Sequence, residues 1–417
     1  MVCKVHRTDW AKWVEILSCR PVNSPTPAQL AWCPHLHLRI HRDPPFPDSL
    51  PTEKGHRLGC ASPLTPSMAQ TTLTAAASLA ARGSGGRSSV SGIAATVFGA
   101  TGFLGRYVTN QLGRIGSQVT VPYRGDELYS RHLKVMGDLG QVVPVPFELR
   151  DEDSVRDAIR GSTVLVNLIG KHYETLNYKF PDVHVSATRR LAEIAREEGI
   201  EHFVHVSAAA PAKDTSSRWL ATKIEGEDCV RDVFPDATIV RPTDMFGTED
   251  RFLTRMAINV MQMYAIPLAD DGESLAQPVW VNDVASVVVT AARDPERFGG
   301  KTLELAGPDV MTIRELYDFV CTSIKREGRF IPVPGKLMEI GAKFTGARLP
   351  IINPYPLYTE EQVKMEVAET ILDYEKEGVL RFEDLDCVAM SVHSDTAGEV
   401  LRRFRRGGDR SSLFYID

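Results

Sequence analysis

The feature that most restricts this chain is a run of glycines between an apolar stretch and an amphipathic one, Ala95-Thr-Val-Phe-Gly99-Ala-Thr-Gly102-Phe-Leu-Gly105-Arg-Tyr-Val. A strand that turns through three glycines into a helix leaves few folds open. Gly99 suits the tight turn, Gly102 lets a ligand approach the backbone, and Gly105 lets helix and strand pack closely. The first turn of the helix then offers free N–H groups and the positive end of its dipole. The whole turn, with Thr101, Phe103 and Leu104, therefore reads as a seat for the pyrophosphate of a dinucleotide.

The chain beyond this turn keeps the same rhythm. Strand candidates recur at 118–123, 142–147, 163–169, 202–207 and 237–241, with amphipathic stretches at 153–160 and 182–198 between them. This alternation calls for a parallel sheet covered on both faces. The expected fold class is α/β: a Rossmann doubly wound parallel sheet over residues 91–250, with a smaller C-terminal lobe over 251–417. The third candidate strand carries Pro144 and Pro146, which suit a central strand poorly. In the lobe, helices are expected near 252–263, 282–293 and 313–326 and a strand at 302–306. Residues 332–417 are expected to be docking or peripheral structure.

The end of the second strand bears on the cofactor. A carboxylate there would bond both ribose hydroxyls of NAD and repel a 2′-phosphate; this chain has Tyr123-Arg124-Gly125 instead. A guanidinium at Arg124 favours NADP(H), and NADPH in particular is expected. Asp126 and Glu127 follow directly and keep NAD open.

Charge and cysteines exclude other classes. A formal net charge of −6 gives no electrostatic reason to expect nucleic acid. No stretch reaches the roughly 18 unbroken apolar residues of a membrane span. The seven cysteines lack a CxxC spacing, which fits neither a disulfide framework nor a zinc site. His172, His184, His202 and His205 show no ligand spacing, so no metal site is expected.

Residues 1–90 differ from the rest. Residues 21–66 are rich in Pro and His without periodicity, and a disordered extension is expected there. Acidic residues are absent from Lys54 to Gly125. Inside that window 68–82 is rich in Ser, Thr and Ala and reads as a mitochondrial presequence, with Met68 as a candidate start.

The glycine turn resembles the extended and atypical short-chain dehydrogenase/reductase superfamily. The resemblance implies that Asn167-Leu168-Ile-Gly170 passes the nicotinamide end of the cofactor and that Ser207 stands where the family keeps its catalytic serine. Active members carry Tyr-x-x-x-Lys on the next helix, where the tyrosine exchanges a proton and the lysine holds the ribose. Here the segment is Ser217-Arg-Trp219-Leu-Ala-Thr-Lys223. Lys223 is kept, but an indole is a donor only and exchanges no proton near neutral pH. No catalytic residue is therefore expected, while the cofactor-binding set Gly99, Thr101, Gly102, Phe103, Leu104, Gly105, Arg124, Leu168, Gly170, Ser207 and Lys223 is retained.

Longer blocks, 131–144, 166–170, 241–251 and 277–285, narrow the resemblance to the alpha subcomplex subunit 9 family of mitochondrial complex I. That resemblance covers roughly residues 85–415. It implies an accessory subunit with bound NADPH at the junction of the peripheral and membrane arms, on the matrix side of the inner membrane. Its partners would be other complex I subunits. Two rivals predict different behaviour: an active atypical reductase or isomerase using another acid, or an NmrA-like redox sensor exchanging its nucleotide freely.

Three further segments have ordinary readings. Met256, Met261 and Met263 suit core or a partner surface. Arg402-Arg-Phe-Arg-Arg406 suits a solvated helix face, with contact to anionic lipid as the alternative. Residues 332–344 suggest an amphipathic helix burying Leu337, Ile340 and Phe344.

Overall fold

The computed structural model describes residues 90–210, 217–348, 359–374, 378–385, 387–405 and 407. The extension and presequence expected before residue 90 lie outside the described residues. Strand β1 (Ala94–Phe98) runs into helix α1 (Phe103–Arg114), then β2 (Gln118–Tyr123), β3 (Val142–Pro146), α2 (Glu152–Ile159) and β4 (Val164–Asn167). The chain continues through α3 (Ala187–Glu197), β5 (His202–Val206), α4 (Arg218–Val233) and β6 (Thr238–Pro242). Each strand expected from apolar runs is present within a residue or two. The helix expected over 182–198 begins differently, because Asp182–Ser186 forms a π turn before α3.

Past β6 come α5 (Leu253–Gln262), β7 (Ile266–Ala269), α6 (Val281–Arg293), β8 (Thr302–Leu305), α7 (Ile313–Ile324) and β9 (Phe330–Val333). Helices α8 (Gly335–Arg348) and α9 (Glu360–Val367), strand β10 (Val379–Leu380) and helix α10 (Asp395–Arg402) complete the larger elements. The main sheet has eight strands in the order β10-β8-β6-β5-β4-β1-β2-β3. All of its pairings are parallel. From β1 the chain steps outward to β2 and β3, then returns to β4 on the other side of β1. The order reverses there, so a crevice opens beyond the carboxyl ends of β1 and β4.

Both sheet faces are buried, which explains why the strands read as continuous apolar runs. On one face Val97, Val166, Val204, Val240 and Leu303 pack against Val108 and Leu112 of α1 and Val284 and Val288 of α6. On the other, Phe98, Leu165, Phe203 and Ile239 meet Ile159 of α2, Leu191 of α3 and Val230 of α4. Adjacent strand residues thus feed opposite layers. Pro144 and Pro146 are accommodated because β3 is an edge strand, where missing ladder donors cost little.

Elements from both sides of residue 250 share the main sheet. Helix α6 and strands β8 and β10 belong to the main sheet and its cover, although they come from the later part of the chain. The remaining lobe has its own core, with Leu253 and Met256 of α5 against Leu316 and Val320 of α7. Described parts of 332–417 reach the core: β10 pairs with β8, and Val392, Leu401 and Phe404 are fully buried in the lobe core. The basic run ends there too, with Arg405 Nε donating to the Ser323 carbonyl at 2.7 Å and Arg403 to Thr254 at 3.3 Å. Helix α8 corrects another expectation. Met338 and Ala342 face inward, while Leu337 and Ile340 are 59% and 55% exposed. Met256 is buried and Met261 and Met263 pack beside it, as core.

One polar element fastens the layers. Arg241 on β6 donates to Glu227 of α4 from Nη2 at 2.6 Å and from Nε at 3.0 Å. Its Nη1 donates to Glu304 at 3.0 Å, and Glu304 sits beside it in register on β8. Both carboxylates are almost wholly buried. Truncating the cation removes the charge that two buried carboxylates share. Arg241→Ala is therefore expected to cost about 3–5 kcal/mol of stability, read as a fall in the urea midpoint; a loss under about 1 kcal/mol, the scale of an exposed ion pair, would contradict this account.

Candidate functional site

The crevice is built around the β1–α1 turn. Gly99 has φ +80°, a conformation that costs a glycine nothing, and its carbonyl accepts from the Gly102 N–H at 3.0 Å. A Cβ on Gly105 would lie 2.3 Å from the Gly99 oxygen and 2.5 Å from the Ala100 Cα. A Cβ on Gly99 would meet the Leu168 carbonyl at 3.0 Å. The glycines thus bring α1, β1 and the segment after β4 closer together than any side chain permits. At the start of α1, Gly102 supplies no side-chain cap and the first turn holds no acidic residue. Its amide groups and dipole end remain for an anion. Leu104 faces the core and contributes backbone only, whereas the Phe103 ring stands edge-on to Tyr107. The Thr101 carbonyl accepts from Arg106 at 3.2 Å, and Arg106 also pairs with Glu249 of the following lobe.

Across the crevice, the segment after β4 and the start of α4 come together. Ser207, just past β5, has a buried hydroxyl with no hydrogen-bond partner among the described residues. The Lys223 Nζ donates to the Ser207 carbonyl at 3.3 Å and lies 3.5 Å from where Gly170 would carry a Cβ. Burial lowers the Lys223 ammonium to about 8, with Glu227 opposing the shift. An orphaned hydroxyl and a desolvated amine beside a glycine cradle are groups that a polar ligand would satisfy. The residues present therefore fit a dinucleotide, whose phosphates the free α1 amides would suit.

Trp219 stands one helical turn before Lys223. Its indole N–H donates to the Lys171 carbonyl at 2.7 Å, and Lys223 Nζ lies 5.5 Å from its ring. His172 stacks on it with centroids 5.8 Å apart. The start of α4 is held from the lobe by Glu361 of α9, which accepts from the Ser217 hydroxyl at 2.8 Å and the Trp219 N–H at 3.2 Å. Nothing local in the sequence signals this reach across 142 positions.

The structure brings together Gly99, Gly102, Gly105 and Leu168, and separately Ser207, Lys223 and Gly170. Arg124 lies apart from these at the exposed end of β2, with its guanidinium 5.5 Å from the ring of Tyr178. Tyr178, Arg150 and Glu148 carry no motif in the sequence. Arg150 follows the third strand much as Arg124 follows the second, and that parallel is the signal that could have found it.

The histidines are structural. His184 bonds the Thr222 hydroxyl at 2.9 Å and accepts from the Lys171 N–H at 3.2 Å, and burial drives it to about 3. His205 bonds Asn167 at 3.2 Å and is likewise driven by burial to about 3. His202 bonds Thr238 at 3.2 Å. Among the described residues no cluster of His, Cys, Asp and Glu could hold a metal ion.

Lys223 has a stability signature. An unfolded lysine titrates near about 10.4, whereas the folded amine does so at about 8. Between those values the unfolded chain binds more protons, so the Lys223 contribution rises with pH across that window and is least below 8. In nucleotide-free protein, the melting temperature of wild type relative to Lys223→Met is expected to rise between pH 7 and pH 10. Parallel pH curves for the two proteins would show that the amine is not desolvated.

Comparison with known proteins agrees with this architecture. Residues 95–306 match the NAD dependent epimerase/dehydratase family. The chain is 42% identical over 335 residues to NADH dehydrogenase (ubiquinone) 1 alpha subcomplex subunit 9, mitochondrial, of Arabidopsis thaliana, covering 79% of this chain and 82% of that protein. It is 38% identical over 313 residues to the mitochondrial NADH-ubiquinone oxidoreductase 40 kDa subunit of Neurospora crassa, covering 73% and 78%. Among solved structures, the dTDP-glucose 4,6-dehydratase of Streptomyces venezuelae, with NAD and TYD bound, superposes with a TM-score of 0.57 at 16% identity, covering 78% of this chain and 100% of that one. That likeness concerns the fold. With the glycine cradle in place and close identity to relatives over most of their length, this chain belongs to the NAD dependent epimerase/dehydratase family and, within it, to the alpha subcomplex subunit 9 family of mitochondrial NADH dehydrogenase (ubiquinone).

Proposed function

We propose that this chain is an accessory subunit of mitochondrial complex I that holds NADPH as a structural cofactor and turns over no carbonyl substrate. The observation that carries the reading is Trp219. It stands one turn before a retained lysine, at the position where the superfamily resemblance expects a tyrosine, and its N–H is committed to the Lys171 carbonyl. An indole supplies no proton for carbonyl reduction, yet the phosphate cradle, the orphan Ser207 hydroxyl and the Lys223 amine are all kept. A protein that keeps its cofactor seat after losing the acid has a physical reason to do so. Nucleotide that binds only the folded state stabilises it, by about 2.7 kcal/mol at ~100 times Kd.

The relatives' names support mitochondrial placement and complex I subunits as partners. No helix among the described residues is long and apolar enough to cross a membrane, so attachment runs through partner subunits, on the matrix side, at the junction of the two arms. The choice of NADPH over NADH rests on Arg124 at the end of β2, where a 2′-phosphate would lie.

Native gel isolation from mitochondria, with mass spectrometry of the bound nucleotide, tests the reading. NADPH in a many-subunit complex, unconsumed by carbonyl substrates, is the expected result. A free monomer that oxidises or exchanges its nucleotide readily would overturn it in favour of an enzyme or a sensor. Arg124→Asp is expected to lose NADPH and melting temperature together; wild-type nucleotide content after purification would remove the 2′-phosphate role.

A further inference from the structure

Three cations from three parts of the chain converge on one aromatic ring beside the crevice. The Arg150 guanidinium lies 4.5 Å from the centroid of Tyr178, that of Arg124 5.5 Å, and the Lys171 ammonium 5.7 Å. Arg124 follows β2, Arg150 follows β3 and Lys171 follows β4, so they ring the same end of the sheet. The ring itself is fixed: its hydroxyl donates to Glu148 Oε1 at 2.5 Å. Arg150 is fixed too, donating from Nη2 to the Asn177 carbonyl at 2.6 Å. Beside Arg150 and Tyr178 opens a cavity of about 300 Å³, also lined by Leu149, Asp182, Ser186 and Arg190.

Two carboxylates stand nearby, Glu148 on the Tyr178 hydroxyl and Asp182 on the cavity wall, but neither is paired with the three cations. Among the described residues, no carboxylate forms an ion pair with Arg124, Arg150 or Lys171, and the nearby Glu148 bonds the Tyr178 hydroxyl. Burial lowers the Lys171 pKa, and the charges of Arg124 and Arg251 lower it further. Elsewhere the chain treats such a cation differently: Arg241 has two carboxylates of its own. A ring face softens the gathering through cation–π attraction, but it does not neutralise like charges.

In a doubly wound fold the end of β2 lies at the 2′ position of the adenosine ribose. A phosphate monoester there carries close to two negative charges and several acceptor oxygens, more than one guanidinium satisfies. We infer that Arg150, held against Tyr178, forms with Arg124 a two-sided clamp on the 2′-phosphate and is a specificity-determining residue for NADPH. Lys171 adds charge from the rim, and the neighbouring cavity leaves room for the adenosine end. This inference rests on the proposed NADPH reading and adds the second half of its phosphate site.

The test is a titration of the purified full-length chain with NADPH and with NADH, which differ only in the 2′-phosphate. Arg150→Gln is expected to weaken NADPH at least tenfold and leave NADH within about twofold. Arg150→Lys, which keeps charge without the fork, should recover part of the NADPH affinity. Tyr178→Ala should show the same selective loss, to a smaller extent. Equal weakening of both nucleotides, or no change in either, overturns the clamp. If wild type prefers NADPH and Arg150→Gln keeps that preference, the clamp alone fails. If wild type binds neither nucleotide, or prefers NADH, the underlying reading fails with it. Matching melting curves of the variants without nucleotide separate these outcomes from misfolding.

Discussion

The structure depends on the contact between Gly105 and the Gly99 carbonyl, where a methyl group would stand 2.3 Å from an oxygen. Because no side chain intervenes, α1 lies hard against the end of β1 and its first turn opens into the crevice. The same closeness lets α1 pack along α6, which comes from the far side of the sequence. Arg106, one residue past Gly105, then reaches Glu249 and joins the turn to the lobe. A phosphate-shaped space and a two-layer core thus arise from one steric condition. Backbone approach of this kind is far more sensitive to a single methyl than hydrophobic packing, which tolerates many substitutions of similar volume.

A second condition acts on α4. Its start is held between the crevice and the lobe, with Glu361 accepting from Ser217 and Trp219 and the Trp219 indole closing onto the Lys171 carbonyl. A tyrosine at Trp219 would present a hydroxyl able to gain and lose a proton. The indole instead uses its one donor on protein, and His172 stacks over its ring. This part of the crevice is ordered by internal hydrogen bonds rather than left for a reacting group. Lys223 lies beneath it, desolvated, still beside Ser207 and Gly170.

The sequence announced some of this and concealed the rest for identifiable reasons. Strands such as 202–206 and 238–242 were legible because burial on both faces turns them into unbroken apolar runs. The prolines of β3 looked anomalous only until β3 proved to be an edge. Strand β10 was not legible: two residues, Val379 and Leu380, carry no periodicity, and only their pairing with Thr302 and Leu303 makes them a strand. The apolar stripe on α8 misled because composition does not say which face a neighbour covers; Met338 and Ala342 took the inner side. In the crevice, the glycines and Lys223 stood in recognisable spacings. Tyr178, Arg150 and Glu361 did not, since their roles come from contacts between segments that only the fold brings together.

The charges of this chain divide into two kinds, and the division separates scaffold from ligand site. Arg241 is enclosed with Glu227 and Glu304, so its charge is neutralised within the fold and nothing remains for a ligand. Arg255 is likewise paired with Glu366 across the lobe. At the crevice the pattern inverts: a helix start without a side-chain cap, a lysine whose pKa burial lowers, and arginines resting on a tyrosine ring with no ion pair among the described residues. Left alone, such an arrangement costs stability through desolvation and mutual repulsion. It becomes favourable once a polyanion lies along it, because each of these groups then gains a partner at once. A dinucleotide that bound only the folded state would raise the stability of the domain by linkage.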